Sequence, residues 1–170
     1  EWSSLYDHLR SMGYRDDKLL ELGLISRSDK GRCYDKFRNR VIFPIINTGG
    51  KVIGFGGRII GEGEPKYLNS QESAVFRKKN NLYGLNLSRK EAGRQDAIIL
   101  VEGYMDVVSL YQAGVRNVSA SLGTALTENQ AKLIRRYTKN VILSYDADSA
   151  GQNAAFRGLD VLYKAGCRAR

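Results

Sequence analysis

Histidine is almost missing from this chain of 170 residues: His8 stands alone, among neighbours of surface character. That context argues against a catalytic imidazole. Cysteine is nearly as scarce. Cys33 and Cys167 lie far apart and form no metal-binding spacing, so the expectation is two buried or incidental thiols in a reducing compartment. No apolar run approaches the ~20 residues needed to span a bilayer. No signal-peptide pattern opens the chain, so the expected location is cytoplasmic, with no membrane partner. The glycines at Gly54, Gly56 and Gly57 match no phosphate loop, although they permit close backbone approach. The chain begins abruptly inside a helical pattern, as a fragment excised from a longer protein would.

What the sequence has in excess is positive charge. The net charge is +9, and residues 31–94 hold 13 Lys and Arg against 5 Asp and Glu, nearly the whole surplus. A basic block of this kind suits a polyanion, and nucleic acid is the obvious candidate. Among its cations are Arg38, Arg40, Arg58, Lys66 and the run Arg77-Lys78-Lys79, with Tyr67, Phe76 and Tyr83 interleaved. Cations for phosphates and aromatic faces for bases are what a single-strand groove requires. The same aromatics also suit a core.

Two helical stretches open the chain. Trp2, Leu5, Leu9 and Met12 recur at helical spacing before Gly13, and Asp16-Asp17 start a second helix ending at Gly23. From about Lys36 the pattern becomes that of strands. Val41–Ile46, the turn Asn47-Thr-Gly-Gly50 and Val52–Phe55 read as a hairpin. Residues 88–96 are polar throughout and read as a helix end and linker, which puts a boundary at 96/97. Beyond it, strand 97–101, a helix ending at Gly114, a strand within 115–121, a helix capped by Thr127 and Gln130, strand 141–145 and a helix ending at Gly166 alternate. Short links between such elements imply right-handed crossovers and a parallel α/β sheet. The last residues, 167–170, read as the start of a further strand.

The chemistry concentrates at the ends of two of those strands. Val141-Ile-Leu-Ser-Tyr145 runs directly into Asp146-Ala147-Asp148, and Ala97-Ile-Ile-Leu-Val101 into Glu102-Gly103-Tyr104-Met105-Asp106. Both runs are apolar without alternation, as central parallel strands are. Ligands in such sheets sit outside the carboxyl ends of the strands, so Glu102, Asp146 and Asp148 share one rim if the two strands are neighbours. Neighbouring carboxylates repel unless a cation lies between them, and hard oxygen donors suit a divalent ion such as magnesium. A solvated turn rich in Asp is the simpler alternative.

The pattern Glu102-Gly-Tyr-Met-Asp106 followed by Asp146-Ala-Asp148, each after an apolar strand, resembles the TOPRIM fold of topoisomerases and primases. Upstream, Asp35-Lys-Phe-Arg-Asn-Arg-Val-Ile-Phe-Pro44, Val52-Ile-Gly-Phe-Gly-Gly-Arg58, Pro65-Lys-Tyr-Leu-Asn-Ser70 and Asn81-Leu-Tyr-Gly-Leu85 are similar to the RNA polymerase domain of bacterial DnaG-type primases. The resemblance implies a basic, mixed α+β subdomain (1–96) followed by a Rossmann-like TOPRIM subdomain (97–170) truncated at its end. It implies synthesis of short RNA primers on single-stranded DNA from ribonucleoside triphosphates, with magnesium or manganese as cofactor. Carried over residue by residue, Glu102, Asp146 and Asp148 are the catalytic acids, and Asp106 joins them as a metal-site acid. Arg38, Arg40, Arg58, Lys66 and Lys78 match positions used for template or nucleotide phosphates. A zinc ribbon, a replicative-helicase-binding domain and a further acidic motif belong to the family pattern and fall outside these residues. Competing expectations are another TOPRIM enzyme (a topoisomerase or nuclease), a phosphatase built on a strand-Asp-x-Asp motif, and a binding module without activity.

Overall fold

The computed structural model describes residues 2–170. The chain divides into two units, Glu1–Ile45 with Val52–Phe76, and Ile46–Lys51 with Arg77–Arg170.

In the first unit, helices α1 (Ser4–Ser11) and α2 (Asp16–Glu21) precede a small antiparallel pair, β1 (Ile25–Arg27) and β2 (Cys33–Asp35). The helical stripe of Trp2, Leu5, Leu9 and Met12 is not a core face. No residue of α1 is buried, and Trp2 and Met12 are largely exposed. What holds α1 is its amino end: the buried Asp35 accepts hydrogen bonds from the Leu5 and Tyr6 N–H groups, each at 2.8 Å. No side chain at the helix start itself supplies a cap, so Asp35 satisfies two orphan donors from 30 residues away. α2 is held differently, by its buried Leu19.

A second antiparallel sheet runs β3 (Arg40–Ile46), β4 (Val52–Ile59), β5 (Tyr67–Asn69) in spatial order. The expected hairpin is present, and β4 extends through the glycines to Ile59. Those glycines let rings lie on the strand: a Cβ at Gly54 would stand 3.2 Å from Phe76, and one at Gly57 would stand 2.9 Å from Phe37. Phe76 is fully buried, so it is a core residue and not part of any groove. Burying one such ring contributes about 1.5–3 kcal/mol.

The second unit is a four-stranded parallel sheet in the order β7 (Val118–Ala120), β6 (Ile98–Val101), β8 (Asn140–Leu143), β9 (Arg168–Ala169). Its helices are α3 (Leu85–Gln95), α4 (Tyr104–Gln112), α5 (Glu128–Ile134) and α6 (Ser149–Lys164). Ile98 and Leu100 enter one core with Leu85, Ile134, Val141 and Leu162, while Val101 enters a second with Val107, Val118 and Ala120. A strand covered on both faces has no polar side to alternate with, which is why 97–101 reads as a continuous apolar run. The polar stretch 88–96 departs from the linker expectation. It is the body of α3, anchored by Leu85, Ser88 and Ala92 at helical spacing, with Ser88 hydrogen-bonded to the buried Ser119 at 2.8 Å.

Candidate active site and nucleic-acid-binding residues

Parallel strands deliver whatever follows them to one rim. β6 and β8 are direct neighbours, Leu100 standing opposite Leu143, and the Ser144 N–H still bonds the Leu100 carbonyl at 2.8 Å. One step further, Glu102 Oε1 accepts a hydrogen bond from the Asp146 N–H at 3.0 Å. The acidic ends of the two strands therefore meet, as their sharing of a rim requires.

Glycine makes this meeting possible. A Cβ at Gly151, in the first turn of α6, would lie 2.2 Å from the Asp146 carbonyl oxygen and 2.8 Å from Glu102 Oε1. The helix begins hard against both groups, and any side chain at Gly151 would push them away. Asp148 is the N-cap of α6, its Oδ1 accepting from the Gly151 N–H at 2.7 Å. Asp106 closes the start of α4, its Oδ2 accepting from the Gly103 N–H at 2.9 Å. The Asp146 carboxylate is exposed and takes no hydrogen bond or ion pair among the described residues. In a chain of charge +9, no Lys or Arg forms an ion pair with Glu102, Asp106, Asp146 or Asp148 among those residues.

The donors can be tested against a metal. Among the described residues no group of three or more His, Cys, Asp or Glu is arranged to hold an ion. One or two carboxylates, with substrate phosphates and water completing the shell, is nevertheless the usual environment of magnesium. Asp146 and Asp148, separated by one residue and each retaining a free oxygen, fit that description.

Beside the acids lies a cavity of about 240 Å³ whose polar lining is Glu102, Ser121, Thr124, Tyr145 and Arg157. Burial, and after it the charge of Glu102, pushes the Tyr145 hydroxyl up to about 12, so it remains a proton donor at neutral pH. Sequence reasoning missed Gly151, Thr124, Tyr145 and Arg157. A signal for the helical pair existed: Gly151, Ala154 and Arg157 recur every third residue along α6, with small residues where the helix nears the strands.

The cations fall into both units. In the first, the Arg38 guanidinium lies 4.2 Å from the Trp2 ring centroid and 4.7 Å from that of Tyr34, and it donates to the Asp35 carbonyl. Arg40 donates to the Pro65 carbonyl at 2.7 Å. Arg58 stands 5.9 Å from the Tyr67 ring, and with Lys66 it lines a cavity of about 510 Å³. In the second unit, Lys78 sits in a 3₁₀ turn, Lys78–Asn80.

Comparison with known proteins gives these features a context. Residues 1–89 match the family described as the DNA primase catalytic core, N-terminal domain, and residues 99–170 match the Toprim-like family. The chain is 55% identical over 166 residues to the DNA primase of Clostridium acetobutylicum, covering 98% of this chain and 28% of that protein. It is 45% identical over 170 residues to the DNA primase of Halalkalibacterium halodurans, again covering 28% of the relative. Little more than a quarter of each relative is thus represented. A DNA primase domain from Pseudomonas aeruginosa superposes with a TM-score of 0.90 at 42% identity, over 100% of this chain and 54% of that one. A DnaG primase catalytic domain bound to ssDNA superposes with a TM-score of 0.89 at 41% identity, over 100% of this chain and 56% of that one.

Proposed function

The chain belongs to the family of DnaG-type primase catalytic cores, and from that premise we propose that it is the part of a bacterial primase that synthesises short RNA primers on single-stranded DNA. Its substrates are ribonucleoside triphosphates and its products are RNA primers. It works at replication forks in the cytoplasm, where a segment outside these residues engages the replicative helicase. The observation that carries the reading is the hydrogen bond between Glu102 and Asp146, which ties two acidic strand ends to one rim.

In this reading Asp146 and Asp148 hold magnesium, or manganese in its place, with Glu102 and Asp106 as further acids of the site. When bound, the ion supplies charge neutralisation at the triphosphate and orients the attacking hydroxyl. The chain's own contributions are separate. Glu102 fixes the Asp146 backbone, and Gly151 allows α6 to close against both. Tyr145 and Arg157 offer one protonated hydroxyl and one cation to oxygen-rich groups in the adjoining cavity. Arg38, Arg40, Arg58, Lys66 and Lys78 serve the phosphates of template or nucleotide. The division of labour places template grip mainly in residues 1–96 and the acids in 97–170.

Incorporation of ribonucleotides on a single-stranded DNA template, with and without magnesium, tests the proposal. Asp146→Ala is expected to abolish incorporation and leave template binding nearly unchanged. Full incorporation by that variant would overturn the assignment. A second reading, a module that grips single strands without synthesis, draws on the exposed cations Lys66, Arg77 and Lys79. Template-bound wild-type chain that incorporates nothing at any magnesium concentration would favour it.

A further inference from the structure

Gln130 is fully buried, and its partners do not belong to its own helix alone. Its Oε1 accepts from the Thr127 N–H at 3.0 Å, and the Thr127 hydroxyl accepts in return from the Gln130 N–H at 3.2 Å. Those two bonds complete a capping box for α5. An ordinary capping box stops there, leaving the amide NH₂ and the hydroxyl proton to solvent. Here both are spent on another segment. Gln130 Nε2 donates to the carbonyls of Lys78 at 3.1 Å and Asn81 at 2.8 Å, and Thr127 Oγ1 donates to the Lys79 carbonyl at 2.6 Å. Asn129 adds a bond from Nδ2 to Asn80 Oδ1 at 2.8 Å.

The segment so held is the basic turn Arg77-Lys78-Lys79-Asn80-Asn81. It makes its own short bonds, Asn80 N–H to Arg77 O at 3.0 Å and Asn81 N–H to Lys78 O at 3.2 Å. A single 3₁₀ turn is weak by itself, and three consecutive cations repel one another. Bonds from α5 reach three carbonyls of the turn, and Arg77 and Lys79 remain exposed. The buried Gln130 amide in turn avoids the cost of desolvated, unmade hydrogen bonds, because each of its polar groups has a partner. Ser121 and residues 123–126, just before α5, line the cavity beside Glu102. One cap therefore joins the basic turn to a wall of the acidic rim.

We propose that Gln130, helped by Thr127 and Asn129, is a positioning residue for nucleic-acid binding: it holds the 77–79 cations in a preordered turn that phosphates meet without first ordering it. This rests on the reading of Lys78 as a phosphate-binding residue. Preorganisation of this kind acts on affinity through the ordering cost it removes, and so its loss should look like the loss of a cation.

The test measures binding of a dT oligomer by the full chain across a salt series for wild type, Gln130→Met, Asn129→Ala, Lys78→Ala and the Gln130→Met/Lys78→Ala double variant. Hydrogen exchange at the Asn80 and Asn81 amides is followed in parallel. Gln130→Met is expected to weaken binding about 3- to 10-fold with a shallower salt slope, the loss of one or a few phosphate contacts. Exchange at both amides should accelerate, and the double variant should bind little worse than Lys78→Ala, because coupled residues do not add. A folded Gln130→Met variant with wild-type affinity, or losses that add in full, overturns the inference while leaving Lys78 in its role. If Lys78→Ala itself binds normally, the phosphate reading of the turn falls and takes the inference with it. Should Gln130→Met fail to fold, the exposed Asn129→Ala carries the test, with faster exchange at Asn80 and a smaller loss of affinity expected and neither change overturning it.

Discussion

Glu102 and Asp146 lie 44 residues apart in the chain, yet one carboxylate oxygen of the first accepts the backbone N–H of the second at 3.0 Å. The bond gives Glu102 two separable properties, an acceptor that fixes a turn and a negative charge at the rim. Glu102→Gln keeps the acceptor and removes the charge. It should melt within a degree or two of wild type and lose most primer synthesis. Glu102→Ala removes both, and losing the exposed bond to the Asp146 N–H should cost a further ~0.5–1.5 kcal/mol in denaturant unfolding. Wild-type synthesis by Glu102→Gln would mean that the rim needs the bond and not the charge.

Gly151 should reverse the usual effect of replacing a helical glycine with alanine. At an unconstrained site that change stabilises a protein by about 0.4–1 kcal/mol. Here the new Cβ would sit 2.2 Å from a backbone oxygen, a distance that only movement of α6 or of the Asp146 turn can relieve. Gly151→Ala is expected to lower the unfolding midpoint and to depress synthesis by displacing Glu102 and Asp146. A stabilised, fully active variant would show that the helix start is free to shift.

Asp35 caps a helix to which it does not belong. Its two bonds to the Leu5 and Tyr6 N–H groups are the kind whose removal costs about 0.5–2 kcal/mol, and Asp35 is buried besides. Asp35→Ala should destabilise the chain toward the upper end of that range. Amide exchange at Leu5 and Tyr6 should rise well before the rest of the first unit responds. Unchanged protection at those two amides would mean that α1 is held by something else.

Lys66 and Arg40 are both basic, but the structure employs them differently. The Arg40 guanidinium is committed to the Pro65 carbonyl at 2.7 Å. Lys66 is exposed and forms no ion pair among the described residues. Lys66→Ala should leave the unfolding midpoint unchanged and flatten the dependence of single-strand affinity on log salt by roughly one unit of slope, the signature of one lost phosphate contact. Arg40→Ala should lower the midpoint as well. An unchanged slope for Lys66→Ala would remove that residue from the binding surface.

The sequence made much of this arrangement readable, for identifiable reasons. Strands β6 and β8 were legible because sheets covered on both faces demand unbroken apolar runs, and Thr127 with Gln130 was legible because capping boxes have a fixed spacing. Family motifs placed the fold and pointed to primases while leaving a topoisomerase or nuclease on the same TOPRIM sheet open, an alternative set aside only by the primase family match over residues 1–89. Strand order was not legible, since periodicity carries no information about which strands pair. Nor was the short pair β1–β2, three residues each, too brief to show alternation. The spacing of Trp2, Leu5, Leu9 and Met12 made the helix of α1 legible but not its exposure, because helical spacing describes a face without saying whether anything covers it. Residues such as Gly151 and Arg157 owe their position to how close α6 comes to the rim, a tertiary distance that no local pattern encodes.

Tyr145 provides a pH signature of the rim itself. Burial and the neighbouring Glu102 charge push its hydroxyl up to about 12, whereas in the unfolded chain a tyrosine titrates near ~10. Below pH ~10 both states keep the proton, and the group contributes its full share of stability. Between ~10 and 12 the unfolded chain gives up its proton and the folded chain does not, so stability drains away as pH rises. Tyr145→Phe has no proton to lose. Urea midpoints for wild type and Tyr145→Phe should therefore keep a constant difference up to pH ~10 and move in the variant's favour above it. The other nine tyrosines and the lysines titrate in both proteins and cancel in the comparison. Adding Glu102→Gln to each removes the second cause of the shift, so the change in that difference above pH ~10 should shrink without vanishing, burial remaining as the larger cause. A difference that stays flat through pH 11 would mean that Tyr145 is more solvated than its place beside the cavity implies.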